Sequence, residues 1–437
     1  MKVFVIDSNK QPLDPCSAGK ARRLLAKGKA AVYRRYPFTI ILHRAVEKSE
    51  PQPLRFKIDP GAKTSGLALV NDQTGEVVWA ADLQHRGWQI KDALESRRSL
   101  RAGRRGRKTR YRPPRFNNRT KPKGWLPPSL MSRIYNIETW FNRLRQRCLI
   151  TSVSIETVRF DMQKMENPEI SGVEYQQGDL HGYEVREYLL EKFKRTCAYC
   201  NKTDVPMEVE HINPRSRGGS NRISNLTLSC RPCNVKKGNQ TASEFGHPEV
   251  EAQAKKPLRS AAAVNATRWE IWRRFEATGL MVEMGTGGRT KYNRRQRNLP
   301  KTHWLDAVCV GQSTPKELKL NGVQPLQIKA MGRGQRQVCR TDRFGFRRKK
   351  KDGSYAKAGR VKRVEGFQTG DVAKVKIPTG KYTGNYLTRI ASIRKKGNFS
   401  IKPVGYSKPF GVNPKYCQIV HRSDGYDYNL GEAFASA

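Results

Sequence analysis

Acidic side chains are scarce in this 437-residue chain: 38 Asp and Glu stand against 85 Lys and Arg, for a formal charge of +47. Such an imbalance cannot be neutralised internally and implies a polyanion as lasting partner, whose backbone phosphates supply the missing counter-charge. A structured RNA is an expected partner of that size. Apolar residues are also few, at 37%, so parts of the chain are expected to order only on nucleic acid. No run approaches the eighteen or so apolar residues of a membrane span, and residues 1–7, MKVFVID, read as a strand rather than a signal peptide. A cytoplasmic location is expected. Cysteine is limited to nine residues. Those at 16, 148, 309, 339 and 417 are scattered and read as reduced thiols, which excludes a disulfide framework. The length allows two to four domains with a real core.

The other four cysteines are grouped as Cys197-Ala-Tyr-Cys200 and Cys230-Arg-Pro-Cys233. Two C-x2-C pairs bring soft sulfur donors together on short loops, as a tetrahedral structural Zn²⁺ needs. Between them lies Glu210-His211-Ile212, followed by Asn225 and Asn234. An acid directly before a histidine sets a hard oxygen ligand for Mg²⁺ beside an imidazole able to deprotonate water. Two C-x2-C pairs alone also suit a binding-only zinc ribbon, and a lone histidine is usually structural. With all these elements in order the module resembles the HNH endonuclease family. That resemblance implies His211 as general base, Glu210 and Asn234 as ligands of one Mg²⁺, and Asn225 as the residue orienting His211. Glu210 stands where Asp is commoner.

A second constellation is spread along the chain. Residues 55–59, RFKID, end a strand in Asp59 before Pro60-Gly61, and SGLALV at 65–70 resumes as an apolar strand, so the two read as a hairpin with a carboxylate at its mouth. Residues 152–156, SVSIE, alternate as a strand and end in Glu156. Residues 302–310 read as a helix on which His303 and Asp306 share a face. Three acids and a histidine on two strands and a helix suit a clamp of two Mg²⁺ ions on a scissile phosphate. An acid ending a strand is more often only a turn former. The order of the fragments, however, resembles the three split segments of the RuvC nuclease, an RNase H-like fold, with the HNH-like module between the second and third.

Between the first two acids lies an arginine-rich run, in which Arg97, Arg98, Arg101, Arg104, Arg105, Lys108 and Arg112 would crowd one helix, although Gly103 and Gly106 lower its helicity. A solvated basic segment is the plain alternative. Its position resembles the arginine-rich bridge helix of the CRISPR type II effector nucleases, which implies RNA-phosphate binding by its guanidinium groups. Only about forty residues separate Arg112 from Glu156, so no large recognition lobe fits there. The layout therefore resembles IscB, the compact transposon-encoded relative in which a large omega RNA replaces that lobe. Residues 11–15, QPLDP, resemble the PLMP motif with Asp14 in place of Met.

The expected architecture is α/β and multidomain: a PLMP-like domain at 1–52, RuvC-like segments at 53–90, 116–190 and 249–325, the bridge at 91–115 and the zinc-containing ββα-metal HNH domain at 191–248. An RNA-contacting segment is expected at 326–369 and a small β-barrel that reads a target-adjacent motif at 370–437. The IscB resemblance implies a monomeric protein in a ribonucleoprotein, working on double-stranded DNA at a prokaryotic nucleoid. HNH would cut the guide-paired strand and RuvC the displaced strand. A guide-free HNH or RuvC endonuclease and a non-catalytic RNA-binding protein are the rival readings.

Overall fold

A computed structural model describes residues 2–47, 49–107, 124–157, 183–255, 261–332, 346, 348–355, 363–393 and 397–434. The bridge residues Lys108 and Arg112 and about half of the expected RNA-contacting segment lie outside these. The chain opens with β1 (Lys2–Ile6), β2 (Pro12–Ser17), helix α1 (Ala18–Ala26), β3 (Ala30–Arg34) and β4 (Thr39–Leu42). These form a four-stranded sheet in the order β2-β1-β4-β3. Ser17 caps α1 by accepting from the Lys20 backbone N–H.

A larger sheet is assembled from separated stretches of chain. β5 (Leu54–Asp59), β6 (Thr64–Val70) and β7 (Val77–Gln84) form an antiparallel meander. Two helices follow, α2 (Gly87–Gly106) and α3 (Pro128–Arg145), and then β8 (Ile150–Glu156), which pairs parallel to β5. The chain next leaves the sheet for α4 (Tyr183–Lys192), β9 (Met207–His211), β10 (Leu226–Cys230), α5 (Arg231–Lys237) and α6 (Pro248–Lys255). It returns through α7 (Ala261–Glu276) to β11 (Met281–Gly285), parallel to β8. Helices α8 (Gly287–Arg295) and α9 (His303–Val308) precede β12 (Leu326–Ala330).

The C-terminal strands are β13 (Val372–Ile377), β14 (Gly384–Ile393), β15 (Phe399–Ile401), β16 (Phe410–Val412), β17 (Cys417–His421) and β18 (Tyr426–Leu430). Five of them make a sheet in the order β16-β15-β14-β13-β17, and no pairing among the described residues closes it into a barrel. The sixth departs from the sequence expectation. β18 pairs antiparallel with β12 and completes the order β11-β8-β5-β6-β7-β12-β18 of the main sheet. The expected domain at 370–437 therefore gives up its last strand, because Tyr426 and Tyr428 bury their rings against Trp140 of α3.

Both faces of the main sheet are covered. Leu67 and Leu69 of β6 point to a core with Ile134, Trp140 and Phe141 of α3 and Phe275 of α7, while Ala68 and Val70 point to Trp304, Leu305 and Val308 of α9. That alternation is the period-two pattern of a strand buried on two sides. The arginine-rich helix α2 behaves differently. It begins at Gly87, earlier than expected, and stays helical through Gly103 to Gly106, with Arg98, Arg101 and Arg105 exposed and Arg97 half-buried.

Candidate nuclease sites

The main sheet carries Asp59 at the end of β5 and Glu156 at the end of β8, adjacent parallel strands that finish on the same edge. Helix α9 brings His303 and Asp306 to that edge. What permits this is Gly66, the cross-strand partner of Asp59. A Cβ built on Gly66 would lie 1.8 Å from the His303 carbonyl oxygen, so only glycine lets α9 lie so close to β6. Thr302 caps the helix by accepting from the Leu305 N–H. Asp59, Glu156, His303 and Asp306 all line one cavity of about 250 Å³.

Further residues shape this cavity, and the sequence carried no motif for them. Arg268 donates to Glu156 Oε1 at 3.0 Å and to the Pro60 carbonyl at 3.3 Å. Arg294 pairs with Asp306 at 2.9 Å. Burial pushes the Asp306 carboxyl above the ordinary aspartate range, opposed by Arg294 and reinforced by Glu156. The turn after Asp59 is fastened from beneath: Arg133 donates to the Ala62 carbonyl at 2.8 Å, and Ser65 Oγ accepts from the Gly61 N–H at 3.1 Å. Ser65 in turn meets His85 Nε2 at 2.8 Å, Asn136 Nδ2 meets His85 Nδ1 at 3.3 Å, and Tyr426 donates to Asn136 Oδ1 at 3.0 Å. This chain of bonds requires a neutral imidazole protonated on Nε2. Burial, with help from Arg133, lowers the His85 pKa to about 3. The three carboxylates line one space and are hard oxygen donors of the kind Mg²⁺ takes, but among the described residues their oxygens do not converge within 4.8 Å of one another as the cysteine sulfurs below do, and two of them are held by arginines.

The second constellation stands on the hairpin β9–β10 and helix α5. Four cysteine sulfurs, from Cys197, Cys200, Cys230 and Cys233, lie within 4.8 Å of one another. The Cys200–Cys230 separation of 3.7 Å matches the edge of a tetrahedron built on zinc–sulfur bonds of about 2.3 Å. The Lys202 backbone N–H holds the Cys200 thiol down to about 7, and the Cys230 N–H donates to Cys197 Sγ at 3.3 Å. This donor set fits a closed structural Zn²⁺.

Beyond the knuckle, β9 ends in Glu210 and His211. Glu210 is buried; it accepts from the Tyr199 hydroxyl at 2.6 Å and pairs with Lys237 of α5 at 2.5 Å. Asn234, one helical turn earlier than Lys237, donates instead to Glu208 at 2.7 Å. Glu210 and Asn234 are thus on neighbouring elements but hold different partners, Lys237 and Glu208. A shared cation there would take Asn234 through Oδ1, which its bond to Glu208 leaves unused, and would compete with Lys237 for Glu210. The side chain on His211 is Asn221, whose Oδ1 lies 2.9 Å from Nε2. Asn225, expected to orient the histidine, instead staples the intervening loop. Its amide nitrogen donates to the Asn213 and Ser220 carbonyls, its Oδ1 accepts from the Asn213 N–H, and its backbone carbonyl accepts from Ile212. Asn225 therefore acts on His211 only through that loop.

Residues 197–240 match the HNH endonuclease family. The chain carries an HNH endonuclease domain. Upstream of it, residues 3–178 match the RRXRR protein family. No curated protein matches. Solved structures with similar parts include Streptococcus thermophilus Cas9 in complex with the GGAA PAM, at 14% identity over 43% of this chain and 26% of that chain, with a TM-score of 0.20. The type II-C Cas9 enzyme from Actinomyces naeslundii is similar at 18% identity over the same shares, with a TM-score of 0.15. Streptococcus thermophilus Cas9 with the AGAA PAM is similar at 11% identity over 61% of this chain and 32% of that chain, with a TM-score of 0.21. The chain spans a third or less of the length of these structures. No helix among the described residues is long and apolar enough to cross a membrane.

Proposed function

We propose that the chain is an RNA-guided endonuclease of double-stranded DNA, of the IscB kind, with two metal-dependent sites. The observation that carries this reading is the cavity lined by Asp59, Glu156, His303 and Asp306 in the same chain as the HNH domain. Its carboxylates come from stretches before and after that domain, as a split RuvC-like segment order requires. The strand arrangement supports it: an antiparallel meander followed by two parallel strands, β8 and β11, with the HNH domain inserted between them. Guidance by RNA is supported by the charge of +47 and by the exposed arginines of α2.

Each site has a separable role. In the HNH domain, His211 accepts a proton from the attacking water, Asn221 and the Asn225-stapled loop hold the imidazole, and Glu210 and Asn234 supply oxygens for a cation. In the second site Asp59, Glu156 and Asp306 would hold Mg²⁺, with Arg268 and Arg294 fixing two of these carboxylates. The bound divalent ion supplies Lewis-acid charge at the scissile phosphate. HNH cuts the strand paired to the guide and the Asp59 site the displaced strand.

Two measurements test the reading. Sequencing the nucleic acid that copurifies with the protein should return one defined RNA with a variable targeting end; protein fully active on DNA alone would favour a guide-free endonuclease. On strand-labelled target, Asp59→Ala and His211→Ala should each leave a nickase of opposite strand, and the double variant should still bind. Loss of both cuts from either single change, with binding intact, would overturn the two-site assignment.

A further inference from the structure

The residues after β5, Pro60 to Lys63, form the turn that aims Asp59, and each is held from a different part of the fold. Arg268 of α7 donates to the Pro60 carbonyl, Arg133 of α3 to the Ala62 carbonyl, and the His85 backbone N–H to the Lys63 carbonyl at 2.8 Å. The Gly61 N–H donates to Ser65 Oγ. A Cβ built on Gly61 would lie 1.9 Å from the Thr64 carbonyl oxygen, so the turn is tight as well as pinned. The Gly61 bond is the near end of a longer chain. From Ser65 it runs through the His85 imidazole and the Asn136 amide of α3 to the Tyr426 hydroxyl of β18. Each link fixes the next: the tyrosine donates to Oδ1 of Asn136 and so turns Nδ2 toward His85, Nδ1 accepts there, and the ring proton is left on Nε2 facing Ser65. Ser65, His85 and Tyr426 are all buried, so the links are shielded from bulk water. Beyond Tyr426 lies the five-stranded C-terminal sheet. Its Arg389, on β14, donates to the Tyr426 carbonyl at 3.1 Å and pairs with Asp427 at 3.1 Å.

We propose that Ser65 and His85 are positioning residues for Asp59, and that the chain ending at Tyr426 makes the Asp59-dependent cut depend on how β18 is seated. This rests on the reading of the Asp59 cavity as a nuclease site. Neither residue lines the cavity; both act through the turn. Without the Ser65 oxygen the Gly61 N–H loses its acceptor, and the peptide two bonds beyond Asp59 is free to rotate. Displacing a reacting group by about 1 Å is enough to cost on the order of a hundredfold in rate. In the main sheet β18 stands at the edge, four positions from β5, so it reaches Asp59 by these side chains rather than by strand pairing.

The test uses the full chain with its copurified RNA and a DNA duplex that it cuts, each strand labelled separately. Ser65→Ala should slow the Asp59-dependent cut roughly tenfold to a hundredfold and Tyr426→Phe roughly threefold to tenfold, with the His211-dependent cut unchanged in both. The double variant should be no slower than Ser65→Ala alone, because Tyr426 acts through Ser65. Effects that multiply would assign the two residues to independent structural roles and overturn the proposal, as would an Asp59-dependent cut at the original rate in Ser65→Ala. His85→Gln, whose amide can donate to Ser65 in place of Nε2, should keep most of the rate that His85→Leu loses; equal loss in both would overturn it. Amide exchange over residues 60–65, read without DNA or added metal, should quicken in Ser65→Ala and less so in Tyr426→Phe, and unchanged exchange in both would count against the chain as decisively. Should Ser65→Ala slow both cuts together, the histidine pair and the exchange in Tyr426→Phe decide. If Asp59→Ala itself leaves both strands cut, the underlying reading of the cavity fails instead.

Discussion

At the scale of single residues, the two asparagines of the HNH loop divide the labour that the sequence reading gave to one. Asn221 touches the His211 ring, and Asn225 touches only backbone. Removing Asn221 deprives the ring of its partner without unfolding the loop, so Asn221→Ala should lower the His211-dependent rate by about ten- to a hundredfold at unchanged melting temperature. Asn225→Ala leaves two carbonyls and one N–H without partners and should cost about 1–3 kcal/mol of domain stability as well. Thermal melts beside single-strand cleavage rates separate the two. His85 gives a pH signature. Its folded pKa is depressed from 6.5 to about 3 by burial, so below 6.5 the unfolded chain binds a proton that the folded chain refuses. Its contribution is fully present above 6.5 and is lost as pH falls toward 3, at up to about 1.4 kcal/mol per pH unit. Denaturant titrations across that window should show a shallower slope in His85→Gln.

At the scale of elements, the four-cysteine module and the main sheet draw on separate cores. Tyr188, Phe193, Met207, Leu228 and Val250 pack around the knuckle, and none belongs to the core between α3 and the sheet. Closed four-cysteine sites contribute folding energy outright. Cys197→Ser, or a chelator strong enough to strip the ion, should therefore abolish the His211-dependent cut. The Asp59-dependent cut should be partly spared, because its carboxylates stand on the main sheet and α9 rather than on that module. Metal analysis paired with strand-resolved cleavage checks this; zinc-free protein cutting both strands would remove the claim.

At the scale of the whole molecule, the charge of +47 has no internal counterweight. Helix α2 illustrates it: beyond its first turns the arginines point into solvent, and nothing lies within 4 Å of a Cβ built on Gly103 or Gly106. Helix α2 packs on α3, but around Gly103 and Gly106 no side chain comes close enough to offset the glycines and the repelling charges. Cognate RNA should raise amide protection across residues 97–112 well above that of the RNA-free protein, by neutralising those charges. Hydrogen exchange with and without RNA measures it, and equal protection in both states would mean that RNA does not order the segment.

The sequence by itself determined what is local and chemical. The cysteine pairs, the Glu210-His211 step, the hairpin ending in Asp59 and the helix at His303 are set by residue type and short spacing, and each was legible. Tertiary structure alone decided which distant groups meet. Nothing near residue 268 or 294 announces an arginine bound for Glu156 or Asp306, because those contacts span more than a hundred residues in one case and a helix-to-helix crossing in the other. The same holds for β18, whose alternating pattern fits either sheet until Tyr426 and Tyr428 find Trp140. Asn221 and Asn225 differ by four positions in one loop, and only the path of that loop selects which side chain reaches the imidazole. Spacing along a chain fixes the neighbours within a turn or a helix; partners across a core depend on how the elements pack, which residue type alone does not encode.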